Sequence, residues 1–107
     1  MLEEHKTGGC TRSLDELREA IAVVDQRIME LVALRIRYVR EAAGLKEEAR
    51  LPLRDPRIED KVYKRMEEAC RKLAIDPGLG RDLAGHIIRM SVQVQEGSSE
   101  SATLNQE

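Results

Sequence analysis

The sequence predicts an all-α fold of three helices per chain, a long first helix followed by two shorter ones. The chain of 107 residues has no Phe, no Trp and only two Tyr, whereas sheet cores favour aromatic and β-branched side chains. Apolar residues recur at steps of three and four over long stretches, which is the helical period. The length allows one domain.

The first helix is predicted from about residue 14 to about residue 46. Ser13 and Glu16 have the spacing of a capping box directly before the apolar run. Positions on one stripe then alternate in steps of three and four, and we call this stripe the seam. It contains Leu14, Leu17, Ile21, Val24, Ile28, Leu31, Arg35, Tyr38, Ala42 and Leu45. A seven-residue repeat of this kind is typical of closely packed helix pairs.

The length of the first helix predicts a homodimer. Thirty-odd residues at 1.5 Å each give about 48 Å, whereas a compact domain of this size has a radius of gyration of about 13 Å. The rest of the chain is too short to cover the seam, so we expect a second copy to bury it. The alternative is a lone three-helix hairpin with a protruding end.

The second helix is predicted from about Pro56 to about Ala74. Asp55 is placed to cap its start, and proline is favoured at the first helical position. Residues 47–54 contain Pro52 and form the predicted loop before it.

The third helix has the same start signal, Asp76-Pro77. Two glycines weaken its first turn, so the start is predicted nearer Gly80. We expect it to end by Glu96, before Gly97. The predicted domain therefore covers residues 13–96, between a disordered leader at 1–12 and a disordered tail at 97–107.

Composition argues against several classes of protein. The net charge is −2, with 18 basic and 20 acidic side chains, so there is no overall positive field to bind nucleic acid. No apolar run approaches the roughly 18 residues of a membrane-spanning helix, and residues 1–10 lack a signal-peptide stretch. These observations predict a cytoplasmic protein that binds neither nucleic acid nor membrane. Cys10 and Cys70 have neither disulfide-framework nor metal-ligand spacing.

Arg35 is the residue most out of place, because the other seam positions are apolar or Tyr. A guanidinium there needs an ion-pair partner or a bound anion, and an ion pair that sets the register of a dimer is as good an interpretation as an anion site. Arg18 and Lys46 are about 42 Å apart along a straight helix. Only an antiparallel partner helix could bring both to one ligand.

Polar residues on the later helices complete the candidate site. Ser91 and Gln95 are four residues apart and share a helix face, and Glu59 lies one turn into the second helix. The sequence has no metal-ligand spacing and no phosphate-binding loop, so we expect neither a metal nor a cofactor. Cations with amide and hydroxyl donors bind a multiply anionic small molecule and can stabilise developing negative charge.

This set of residues resembles the all-helical class of chorismate mutase. The pattern can be laid on residues 14–96 without a gap. In chain order it comprises Leu17-Arg18-Glu19, Asp25, Leu31-x-x-x-Arg35, Lys46, Leu53-Arg54-Asp55-Pro56, Glu59, Ile87-Ile88 and Ser91-x-x-x-Gln95. The resemblance implies an intertwined homodimer that converts chorismate to prephenate, at the branch toward phenylalanine and tyrosine.

The resemblance also implies roles for the catalytic residues. Arg35 resembles the cation that clamps a substrate carboxylate, and Arg18 resembles a second clamp that reaches in from the other subunit. Lys46 and Gln95 resemble the donors to the ether oxygen whose bond breaks.

The remaining site residues resemble substrate-binding positions. Glu59, with the backbone near Asp55, resembles the group that binds the ring hydroxyl, and Ser91 resembles a carboxylate contact. The sequence departs from the family at Ile58, where the family often has Arg. Two alternatives stay open: a related lyase that removes pyruvate from isochorismate, and a helical dimerisation or regulatory module without activity.

Overall fold

The computed structural model describes residues 12–105, and these residues form three helices and no strand. Helix α1 spans Leu14–Glu48, α2 spans Pro56–Lys72 and α3 spans Pro77–Asn105. The predicted all-α class with a long first helix is confirmed. Residues 1–11, which include most of the predicted leader and Cys10, lie outside the described residues.

The predicted start signals of α1 and α2 are confirmed. The Ser13 amide donates to Glu16 Oε1 at 2.8 Å, and the Glu16 amide donates to Ser13 Oγ at 3.1 Å, which is the reciprocal pairing of a capping box. Asp55 caps α2 by accepting from the Arg57 amide at 3.0 Å. Pro56 follows as the first helical residue, where its missing N–H costs nothing.

Both ends of α3 differ from the prediction. The helix begins at Pro77 rather than near Gly80, because Asp76 Oδ1 accepts from the Gly78 amide at 3.2 Å and so caps the first turn despite the glycines. The predicted end by Glu96 is wrong, since α3 continues to Asn105. No described glycine has a positive φ, so Gly97 does not adopt the left-handed conformation that ends a helix. A domain boundary at 96 stays a prediction.

Left-handed residues follow the ends of α1 and α2. Arg50 has φ 57° and Ala74 has φ 59°. In each case the following amide bonds back across the helix end: Leu51 to the Lys46 carbonyl and Ile75 to the Cys70 carbonyl, both at 2.8 Å. This pattern caps the last free carbonyls of a helix. It turns the chain sharply at residue 50, which places the loop before α2 beside the end of α1.

Helices α2 and α3 pack against each other over a small core. Its buried residues are Val62, Ala84 and Ile88, with Tyr63 and Met66 packed against them. Gly80 brings α3 close to α2, because a Cβ built there would lie 2.6 Å from Cys70 Sγ and 2.8 Å from the Met66 carbonyl oxygen. This contact fixes the α2–α3 pair that carries half of the site described below.

The chain divides into two compact units, one up to Leu34 and one from Arg35 onward. In the first unit, large apolar seam side chains are exposed: Leu14 by 61 %, Ile21 by 58 % and Leu31 by 65 %. In the second unit the seam residue Leu45 is 66 % exposed. A single chain therefore leaves a long apolar stripe in contact with water. None of the helices in the described range is long and apolar enough to cross a membrane.

Candidate active site

The second unit contains a cavity of about 470 Å³, a size typical of small-molecule sites. Its walls come from the second half of α1, the loop before α2, the first turns of α2 and the middle of α3. The polar residues that line it are Arg35, Lys46, Arg54, Asp55, Arg57, Glu59, Ser91 and Gln95. Six of the seven site residues named from the sequence are therefore in one cavity.

Lys46 links α1 to both the loop and α3. Its Nζ donates to the Leu53 carbonyl at 2.9 Å and to Gln95 Oε1 at 3.1 Å. Gln95 is only 6 % exposed, so its amide is held in place by packing as well as by this bond. Because Oε1 accepts from Lys46, the Gln95 NH₂ group is the end of the amide that can donate to a ligand.

Arg35 and Ser91 form a second pair across the cavity. The Arg35 guanidinium donates to Ser91 Oγ, and the Ser91 hydroxyl donates to the Ile87 carbonyl at 3.0 Å. Burial lowers the pKa of Arg35, and the nearby positive charge of Arg65 lowers it further. Both effects disfavour a positive charge at this place, so a bound anion would be stabilised there.

The cavity has an excess of positive charge without anionic partners. Among the described residues, Arg35 and Lys46 have only neutral hydrogen-bond partners. Arg54 and Arg57 are different, since they pair with Glu59 and Asp55. Two cations therefore remain for a ligand, which matches a dianion. No described group of His, Cys, Asp and Glu side chains could hold a metal ion.

Glu59 is the acidic residue in the first turn of α2. Arg54 Nε donates to Glu59 Oε2 and Arg54 Nη2 donates to Glu59 Oε1, both at 2.9 Å. The hydrogen bond from Arg54 lowers the pKa of Glu59, and the same pairing raises the pKa of Arg54. Glu59 is thus an ionised acceptor that lines the same cavity as Arg35 and Lys46.

Comparison with known proteins identifies the family. The family model "Chorismate mutase type II" matches residues 17–96. The chain belongs to this family. A curated relative in Methanocaldococcus jannaschii, named "Chorismate mutase", is 30 % identical over 67 residues, which is 63 % of this chain and 68 % of that protein. The family model's range, residues 17–96, includes nearly all of α1 and all of the cavity residues.

In this member of the chorismate mutase type II family, Arg18 lies in the first unit, and the other six site residues lie in the second. The Arg18 side chain is 67 % exposed, and its Nη1 lies 3.6 Å from Asp15 Oδ1. An exposed pair of this kind contributes little energy, so it would release Arg18 to a ligand at small cost. The assignment of Arg18 to a site stays a prediction.

At Ile58, where the resemblance leads us to expect Arg, the cavity wall carries no charge. Ile58 lines the cavity with an apolar side chain that is 52 % exposed. Arg57 is no direct replacement, because its 88 % exposed side chain pairs with Asp55 Oδ1 at 3.4 Å. Asp55 uses its carboxylate to cap α2 and its carbonyl to accept from the Ile58 and Glu59 amides, both at 3.0 Å, so its backbone amide is the group that could contact a ligand.

Sequence reasoning missed two features of the site. The Leu53 carbonyl accepts a hydrogen bond from Lys46. Arg54 donates two parallel hydrogen bonds to the Glu59 carboxylate. Both residues were part of the family motif but had no role assigned. Only the sharp turn at Arg50 brings this loop back to α1, and no spacing rule in the sequence predicts that geometry.

Proposed function

We propose that this protein is a chorismate mutase that converts chorismate to prephenate in the cavity of the second unit. The observation that carries the proposal is the pair of cations, Arg35 and Lys46, that have only neutral hydrogen-bond partners among the described residues and line a cavity of about 470 Å³. Chorismate carries two carboxylates, so its charge complements theirs. The family match over residues 17–96 supports the same activity.

The chemistry needs donors at one oxygen more than it needs an acid or a base. During the rearrangement, the ether oxygen of chorismate gains negative charge as its bond to the ring breaks. Lys46 and the Gln95 NH₂ group are the donors for that oxygen. Such donors bind the transition state more strongly than the ground state and so lower the barrier.

The other groups hold the substrate in its reactive shape. Arg35, supported by Ser91, binds one carboxylate, and Glu59 with the Asp55 backbone binds the ring hydroxyl. Holding the enolpyruvyl side chain over the ring removes much of the entropic cost of the reaction. No covalent intermediate is required.

The proposal includes a homodimer in which Arg18 of one subunit completes the site of the other. Its support is the exposed seam: Leu14, Ile21, Val24 and Ile28 are each more than half exposed in the single chain, and apolar stripes of this length are normally buried by a partner. Light scattering should give a mass of about twice the 12.1 kDa of the chain. A fully active monomer would contradict the dimer but not the reaction.

A mixing experiment tests the shared site. Arg18→Ala and Arg35→Ala should each be nearly inactive. When the two are unfolded together and refolded, about half of the dimers are mixed, and each has one complete site, so about a quarter of wild-type activity should return. If mixed dimers form, as checked by mass, but no activity returns, Arg18 and Arg35 act in the same subunit's site.

The product formed from chorismate tests the function itself. Prephenate, identified by proton magnetic resonance, is the expected product. To test the lyase alternative, isochorismate is supplied separately, and release of pyruvate would favour that reaction. Binding of chorismate without turnover would favour the regulatory module. The predicted cytoplasmic location belongs to the same proposal, since the product feeds the branch toward phenylalanine and tyrosine.

A further inference from the structure

The loop between α1 and α2 is tied to the site at two adjacent residues. Leu53 accepts from Lys46 through its carbonyl, and Arg54 donates two hydrogen bonds to Glu59. The first bond holds the cation proposed for the ether oxygen. The second holds the carboxylate proposed for the ring hydroxyl. The loop therefore contacts two groups that are proposed for different oxygens of the substrate.

Arg54 is well suited to orient a carboxylate. Both Arg54–Glu59 bonds are 2.9 Å long, and they join two nitrogens to two oxygens in the fork geometry specific to arginine. The Glu59 side chain is 24 % exposed and the Arg54 side chain is 60 % exposed. The carboxylate thus lies in the wall of the cavity with the guanidinium on its solvent side.

The fork leaves Glu59 able to bind substrate. Each carboxylate oxygen has two lone pairs, and Arg54 uses one on each oxygen. The remaining lone pairs can accept from a hydroxyl in the cavity. Because both oxygens are fixed, the carboxylate cannot rotate away from that hydroxyl.

We propose that Arg54 is a positioning residue, which orients Glu59 for the ring hydroxyl of the substrate and, through the adjacent Leu53 carbonyl, keeps Lys46 at the ether oxygen. This inference rests on the proposed function. Arg54 directly precedes the helix cap Asp55 and directly follows Leu53, so one short loop holds both contacts. Arg54 does not itself touch the reacting atoms.

The protonation of Glu59 provides a readout that a purely structural role would not move. The hydrogen bonds from Arg54 lower the pKa of Glu59, burial raises it, and the charge of Asp55 raises it. Other charged groups lining the same cavity are Arg35, Lys46 and Arg57. Since an ionised Glu59 accepts a stronger hydrogen bond than a protonated one, and protonation also weakens its pairing with Arg54, activity should fall as the pH drops through this pKa. Removal of Arg54 raises the pKa, so the acid limb of the profile should move to higher pH.

The test compares Arg54→Gln and Arg54→Lys with Arg81→Gln as the matched control. Arg81 is also an exposed arginine paired with a less exposed glutamate, Glu67, but it lies outside the cavity. Arg54→Gln should lower kcat/KM by about tenfold to a hundredfold, the range for loss of orientation, and move the acid limb upward. Arg54→Lys, which keeps the charge but loses the fork, should be intermediate. Arg81→Gln should match the wild type in both respects.

Glu59 supplies the internal check. In a Glu59→Gln background, Arg54→Gln should cause no further shift of the acid limb, because the carboxylate that Arg54 contacts is absent. Circular dichroism and light scattering are recorded for every variant. If a folded Arg54→Gln protein behaves as Arg81→Gln does while the wild type makes prephenate, the positioning role is wrong and the proposed function stands. If the wild type itself makes no prephenate, the proposed function fails.

If Arg54→Gln does not fold, the Arg54→Lys variant tests the positioning role instead. A folded Arg54→Lys with the wild-type rate and acid limb would overturn the role. A lower rate with a shifted limb would support it.

Discussion

Two substitutions at Gln95 separate its role as an acceptor for Lys46 from its proposed role as a donor to the ether oxygen. Its Oε1 accepts from Lys46 at 3.1 Å, and its NH₂ group is assigned to the ether oxygen. Gln95→Ala removes both the acceptor and the donor. Gln95→Glu keeps an oxygen for Lys46 but has no N–H, and at neutral pH it adds a negative charge beside an oxygen that is becoming negative.

The size of the loss follows from the missing donor. Removing one donor to a developing oxyanion costs about 100- to 1,000-fold in rate, or about 2.7–4 kcal/mol. Gln95→Ala should lose at least this much, because Lys46 then keeps only the Leu53 carbonyl. The loss should fall on kcat more than on KM, since the interaction belongs to the transition state.

Gln95→Glu should lose a comparable amount at neutral pH and recover as the pH falls. A protonated carboxyl group can donate to the ether oxygen, whereas the carboxylate cannot. Burial raises the pKa of the new carboxyl, because position 95 is only 6 % exposed, and the Lys46 charge opposes that rise, so recovery is expected on the acid side. Arg54 lowers the pKa of Glu59, and Gln95→Ala, which keeps Glu59 but lacks the new carboxyl, shows how much of any change with pH belongs to Glu59.

The assay is the initial rate of chorismate consumption from about pH 4 to about pH 8, a window that begins below the ordinary glutamic acid pKa of about 4.3. Wild type, Gln95→Ala and Gln95→Glu are compared, with folding checked at each pH. A Gln95→Ala protein that changes only KM would refute the assignment. So would a Gln95→Glu profile with the same shape as that of Gln95→Ala.

Three predictions concern stability, each measured by urea unfolding. Gly80→Ala should destabilise the fold by about 1–3 kcal/mol through overpacking, because its new Cβ would lie 2.6 Å from Cys70 Sγ; an unchanged midpoint would show that α2 and α3 are not so close. Gly97→Ala, with nothing within 4 Å, should instead stabilise by about 0.5–1 kcal/mol. Ala74→Gly should also stabilise, by up to about 1 kcal/mol, since φ 59° strains a Cβ; a loss of stability there would contradict the left-handed cap.

The starts of α1 and α2 could be predicted from the sequence because their signals were local. Ser13 and Asp55 act on amides two or three residues away, so spacing alone identifies them. The predicted end of α3 was wrong. Glycine favours a helix end when it adopts a positive φ, and Gly97 does not adopt one.

The candidate site was predicted in part. Arg35 was found because a cation in an apolar seam is costly unless it is paired or binds an anion. The partners of Lys46 and Glu59 were not found, because they depend on how a loop turns in space. The left-handed conformation of Arg50 sets that turn. Glycine is the usual residue in this conformation, so an arginine gives no sequence signal for it.

The most direct test of the account is the product that purified protein forms from chorismate, measured beside an Arg35→Ala variant prepared in the same way. The account predicts that the wild type forms prephenate and that the variant, although folded, forms nearly none. This comparison assigns the activity to the cavity rather than to a contaminating enzyme. Equal prephenate formation by both proteins, or none by a folded wild type, would contradict it.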